Sequence, residues 1–80
     1  MYDIRKFFHM NKESRIIRDF VRDQRRKARL TQVQLSAKAG VGLRFVRDIE
    51  QGKRTLRTDT VNKVLRIFGA CLGPVNLPRD

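Results

Sequence analysis

Apolar residues recur three and four positions apart in two stretches of the chain, which is the spacing of one buried helical face. The first stretch has Asn11 or Ser14 as a candidate N-cap, and its apolar positions are Ile16, Ile17, Phe20, Val21 and Ala28. The second has Thr55 or Thr58 as a candidate N-cap and Gly69 at its end, and its apolar positions are Val61, Val64, Leu65 and Phe68. The two stretches therefore predict outer helices that enclose a small core.

Between them, residues 30–52 (LTQVQLSAKAGVGLRFVRDIEQG) predict two short helices joined by a tight turn. Thr31 and Gln34 have the spacing of a capping box, which marks the start of the first helix. Gly40 follows the last apolar position and ends that helix, because a chain leaving a helix usually needs a positive φ there. The second helix covers roughly Leu43 to Glu50, and Gly52 ends it.

Two short helices around a glycine-containing turn are the helix-turn-helix pattern, whose second helix enters the major groove of DNA. On that helix Leu43, Arg44 and Arg47 lie on the outer face, so they are the candidate base-reading residues. Arginine can form paired hydrogen bonds to guanine, and Leu43 can contact a thymine methyl group. Phe45 is expected to fold into the core, and Asp48 or Glu50 can hold Arg47 when DNA is absent. Solvated arginines without a DNA role are the alternative interpretation.

The segments LTQVQLSAKAGV and DIEQGKR resemble the Xre/Cro-like helix-turn-helix domain of phage repressors and antitoxins. More narrowly, VGLRFVRDIEQGK followed by TLRTDTVNKVLRIFGACLGPV is similar to HipB-like antitoxins, which repress their own operon and bind a HipA-type kinase toxin. The resemblance covers residues 16–75. It implies an all-α, lambda-repressor-like bundle of four or five helices with a short C-terminal dimerisation strand.

Five residues are candidate phosphate ligands around the predicted motif: Gln32, Arg29, Lys53, Arg54 and Arg57. The resemblance assigns Gln32 to a phosphate at the start of the first motif helix, where backbone amides also favour an anion. Arg29 belongs to the basic cluster 25–29, which precedes the motif. The other three lie in the loop after the second helix, where cations supply affinity without sequence preference.

The segments outside the predicted bundle are short. Residues 1–11 are expected to be a flexible arm, with contact to phosphate or to a partner as the alternative. Residues 70–80 hold a brief apolar run before Gly73 and Pro74, which indicates a short strand or an extended tail. The resemblance implies that this strand pairs with its copy in a second subunit, with a dimer interface formed by Cys71, Leu72 and Val75. A disordered tail is the alternative.

The 80 residues allow one domain, residues 12–69, and their net charge of +11 predicts attraction to a polyanion. Nucleic acid is the first candidate and an anionic membrane surface the second. The single cysteine and single histidine provide neither an internal disulfide nor a metal site, so no cofactor is expected. The chain shows no membrane span or signal peptide, which favours a cytoplasmic protein.

These patterns predict a dimeric repressor that binds a palindromic operator, with a HipA-like kinase toxin as a possible partner. One alternative is a prophage repressor. Another is an interaction module that neutralises a toxin without specific DNA binding, which the apolar Leu43 and Phe45 would suit. An enzyme is the least favoured class, because the chain offers no plausible pair of general acid and base.

Overall fold

The fold is all-helical over residues 12–74, which are the residues that the computed structural model describes. It contains α1 (Lys12–Lys27), α2 (Gln32–Ala39), α3 (Leu43–Glu50) and α4 (Thr58–Ile67). This confirms the predicted helical bundle, and the bounds of α3 agree with the sequence. Over this range no helix has the length and apolar character needed to cross a membrane.

The core lies where the inward faces of all four helices meet. α3 packs against both α1 and α2, and α4 packs against α2. The buried apolar side chains are Val21, Leu35, Val46, Ile49, Val61, Val64 and Leu65. Ile16, which the spacing assigns to the core, is instead 57% exposed. That assignment is wrong because Ile16 lines an open apolar groove beside residues 70–72, whereas its neighbour Ile17 packs against the core.

Four helix ends share one hydrogen-bonding arrangement. In each, an amide donates to the carbonyl five residues earlier, at 3.0 Å: Leu30 to Arg25, Val41 to Ser36, Lys53 to Asp48, and Ala70 to Leu65. The residue before each amide has a left-handed backbone: Arg29 (φ 55°), Gly40 (69°), Gly52 (78°) and Gly69 (71°). The three predicted glycine ends are confirmed. α1 differs because an arginine takes the position that favours glycine.

The helix starts agree with the sequence in α2 but not in α4. At α2 the Gln34 amide donates to the Thr31 hydroxyl (3.0 Å) and the Thr31 amide donates to the Gln34 side chain (2.8 Å), so the capping box is confirmed. At α4 the N-cap is Arg57, which makes no side-chain cap bond. Neither Thr55 nor Thr58 caps this helix, because Thr58 is already its first residue.

The C-terminal segment 70–74 is irregular, so the predicted strand is not formed within these described residues of the single chain. A strand needs a neighbouring strand for its backbone groups, whereas here the Leu72 amide donates to the side chain of Asn62 on α4 (2.7 Å). The segment forms one side of an apolar groove of about 220 Å³, whose other walls are Ile16, Ile17 and Phe20 of α1 and Leu65 of α4. Val75 and the arm 1–11 lie outside the described residues.

Candidate nucleic-acid interface

Helix α3 has one buried face and one exposed face. Val46, Ile49 and Glu50 are buried, whereas Arg44 and Arg47 are exposed. Neither arginine makes a hydrogen bond or an ion pair with any residue of the range 12–74. The expected contact of Arg47 with Asp48 or Glu50 is therefore not formed. Both guanidinium groups are available to a ligand, and base reading by them stays a prediction.

The two apolar residues in the first turn of α3 differ in their surroundings. Phe45 is half-buried and packs against the core, as expected from the sequence. Leu43 is half-buried at the start of the helix, beside the exposed arginine face. The N-cap of α3 is Gly42, which makes no side-chain cap bond because glycine has no side chain.

Gln51 is a further candidate base-reading residue, and the sequence reasoning missed it. It is exposed, and its backbone continues the helical conformation at the C-cap of α3. Positions four and seven residues apart share a helix face, so Gln51 lies on the face of Arg47 and Arg44. A glutamine amide can form paired hydrogen bonds to adenine. The spacing of four and seven was the signal that could have identified it.

Glu50, which the sequence offered as a partner for Arg47, instead joins three parts of the fold. Its carboxylate accepts hydrogen bonds from Arg25 Nε (2.7 Å) and Arg25 Nη2 (3.0 Å), and from Gln32 Nε2 (3.3 Å). Arg25 also donates to the Leu30 carbonyl (2.9 Å). The side chain of Glu50 is 4% exposed and that of Arg25 is 15% exposed. The hydrogen bonds from Arg25 to Glu50 raise the pKa of Arg25, so its guanidinium stays charged.

This ion pair removes Arg25 from the basic cluster 25–29 as a free phosphate ligand, because its donors are already used inside the protein. Gln32 is half-buried and its amide is held by Glu50. Its bond of 3.3 Å is long for an N–H donor, and the residue occupies the first position of α2, where free backbone amides face outward. A phosphate contact by Gln32 stays a prediction.

The remaining predicted phosphate ligands surround the motif on exposed loops. Lys53 lies 3.6 Å from Asp48, and Arg57 lies 3.1 Å from Asp59. Exposed ion pairs of this kind are worth only about 0–1 kcal/mol, so either cation can exchange its partner for a phosphate. Arg29 and Arg54 are exposed and have no partner among residues 12–74.

A capped helix, a glycine turn and a second helix with outward arginines define a helix-turn-helix DNA-binding domain. The chain belongs to the helix-turn-helix family, whose model matches residues 21–71. It is similar to the uncharacterized HTH-type transcriptional regulator y4mF of Sinorhizobium fredii, with 42% identity over 52 residues, which cover 65% of this chain and 68% of that protein. No solved structure gives a significant match.

Proposed function

We propose that this protein is a sequence-specific DNA-binding transcriptional repressor. The observation that carries the proposal is the pair Arg44 and Arg47, which lie outward without a partner in the described part of the chain. The opposite face of the same helix is fixed by Val46, Ile49 and Glu50. Membership of the helix-turn-helix family and the similarity to an HTH-type transcriptional regulator support the same class. The proposal includes a cytoplasmic location, because a transcriptional regulator needs access to DNA.

Binding as a homodimer is the second part of the proposal. A palindromic operator with half-sites about 34–36 Å apart suits two copies of a single recognition helix. The apolar groove of α1, α4 and segment 70–72 supports a dimer contact, because it leaves Cys71 exposed and Leu72 half-buried at its rim. In this arrangement Cys71, Leu72 and Val75 lie at the interface, where the C-terminal segments of two subunits pair as strands.

The third part of the proposal is that the protein acts as an antitoxin, with a HipA-like kinase toxin as its partner. Its support is the similarity of residues 41–75 to HipB-like antitoxins. Co-purification with the products of neighbouring genes tests this role. Recovery of a stoichiometric kinase-like protein is the expected result, and a lone DNA-binding dimer would contradict it.

The base-reading assignment is tested by titrating a DNA site selected from a random-sequence pool. Arg44→Ala and Arg47→Ala are each expected to weaken binding to the selected site by about 1–3 kcal/mol, which is about 5- to 150-fold. Each should also flatten the preference among single-base variants of the site. Arg54→Ala should instead weaken all sequences alike and lower the salt slope by about 1.

Lys38→Ala is the matched control, since Lys38 is an exposed cation on α2 away from the predicted contacts. It should leave both affinity and preference nearly unchanged. Unaltered base preference in both arginine variants would contradict the assignment of α3 as the reading helix. Affinity that hardly changes with salt would contradict DNA binding itself, because several phosphate contacts require a steep dependence.

A further inference from the structure

An arginine stripe runs along one side of α1, outside the helix-turn-helix motif. We define this stripe as Arg15, Arg22 and Arg26, which lie four and seven residues apart and so share one helix face. Arg15 and Arg26 are exposed and Arg22 is half-buried. From first to last they extend over about 16 Å at 1.5 Å per residue.

The charge of the stripe is only partly neutralised by its own helix. Asp19 pairs with Arg18 (2.8 Å) and Asp23 pairs with Lys27 (3.0 Å), so neither aspartate is bound to the stripe. The hydrogen bond from Arg18, together with the charges of Arg18, Arg22 and Arg15, lowers the pKa of Asp19, so this carboxylate offsets part of the stripe's charge. None of the three stripe arginines makes a hydrogen bond or a salt bridge within residues 12–74. Like charges at this spacing repel each other, and a polyanion would remove that cost.

The stripe is continuous with the candidate DNA interface. Arg26 lies three residues before Arg29, and the chain then passes through Leu30 and Thr31 into the start of α2. The neighbouring side of α1 contacts α3 through the bonds between Arg25 and Glu50. A duplex that meets the start of α2 would therefore reach the stripe first at Arg26, with Arg22 and Arg15 further along α1.

The chemistry of the stripe fits a phosphate backbone better than a protein. Protein interfaces place apolar and aromatic residues at their centre, whereas this face of α1 presents arginines and the single carboxylate of Asp19, with no apolar side chain among them. About 16 Å of duplex carries about nine or ten negative charges, enough for every stripe arginine. We propose that the arginine stripe binds the phosphate backbone of DNA that flanks the operator half-site. This inference rests on the proposed function and extends its DNA contact beyond the motif.

The test compares two duplexes that hold the same selected site, one trimmed at its edges and one extended by about 10 base pairs on each side. The triple variant Arg15→Gln, Arg22→Gln and Arg26→Gln removes the stripe charge and keeps good helix formers. Its matched control changes Lys38, Lys63 and Arg66 to Gln, three exposed cations of α2 and α4. Both variants lower the net charge by the same amount.

Wild-type protein and the control should bind the extended duplex more tightly than the trimmed one. The stripe variant should lose this advantage, and its salt slope on the extended duplex should fall by about 2–3, since each phosphate contact contributes about 0.9. The base preference of the stripe variant should equal that of the wild-type protein. Equal losses in the stripe variant and the control would overturn the proposal, because general charge would then explain them. A stripe variant that keeps the flank advantage would also overturn it, and would direct attention to an acidic protein partner.

A failure of the stripe proposal can be distinguished from a failure of the proposed repressor function. If the pool yields no preferred sequence, specific repression fails, and the stripe is still tested by comparing the salt slopes of the stripe variant and the control on one duplex of arbitrary sequence. Thermal unfolding checks that the triple variant folds. The single variant Arg22→Gln, with an expected slope change of about 1, repeats the test with a smaller perturbation.

Discussion

Removing Arg25 from the buried pair with Glu50 should strongly destabilise the domain. In Arg25→Met the Glu50 carboxylate keeps only the Gln32 bond of 3.3 Å, in a side chain that is 4% exposed. Breaking a buried pair costs about 3–5 kcal/mol, and the 15% exposure of Arg25 favours the lower end, about 3 kcal/mol. For a domain of this size that is about 12–24 °C in Tm.

The reciprocal variant Glu50→Leu should cost less, because Arg25 keeps its bond to the Leu30 carbonyl and lies nearer to water. The double variant leaves no buried charge, so it should be more stable than Arg25→Met alone. Urea and thermal unfolding of the four proteins give the coupling energy directly. Lys27→Met is the control, since its pair with Asp23 is exposed and worth less than about 0.5 kcal/mol.

Two results would refute this reasoning. One is a loss in Arg25→Met no larger than the loss in Lys27→Met, which would mean that the buried pair contributes little. The other is a double variant whose destabilisation equals the sum of the single variants, which would mean that the two side chains act independently.

Three further changes test the helix ends and the C-terminal segment. Arg29→Gly should stabilise the domain by about 0.5–1 kcal/mol in thermal unfolding, because glycine adopts φ 55° without strain; a lower Tm would contradict this. Gly40→Ala should destabilise it by about 1 kcal/mol, and since no atom lies within 4 Å of the added methyl group, the cost is entirely backbone strain. Asn62→Ala removes the acceptor of the Leu72 amide and should speed hydrogen exchange at that amide, whereas an unchanged exchange rate would show that this bond does not hold the segment.

The features that the sequence predicts well are those set by neighbouring residues. The capping box at Thr31 and the glycine ends at Gly40 and Gly52 depend on groups within six residues of each other, and all are confirmed. They fix the bounds of the two motif helices. The outward direction of Arg44 then follows from the 3.6-residue period once Val46 is assigned to the core.

The features that the sequence does not predict depend on residues far apart in the chain or on positions without a characteristic residue type. Arg25 and Glu50 are 25 residues apart, and an arginine in a basic cluster gives no local sign of a buried partner. The end of α1 at Arg29 is missed because no glycine marks it. No strand forms within residues 70–74, because this part of the chain has no neighbouring strand and Asn62 accepts the hydrogen bond of the Leu72 amide.

The Glu50 carboxylate has an evolutionary consequence. It holds the buried face of α3 to α1 and α2 by hydrogen bonds. Arg44, Arg47 and Gln51 lie on the opposite, exposed face and make none of these bonds. The residues that would choose an operator and those that hold the helix in place are therefore separate sets. Duplicated copies of such a gene can diverge toward new operators by substitutions at the outward positions alone, without loss of folding.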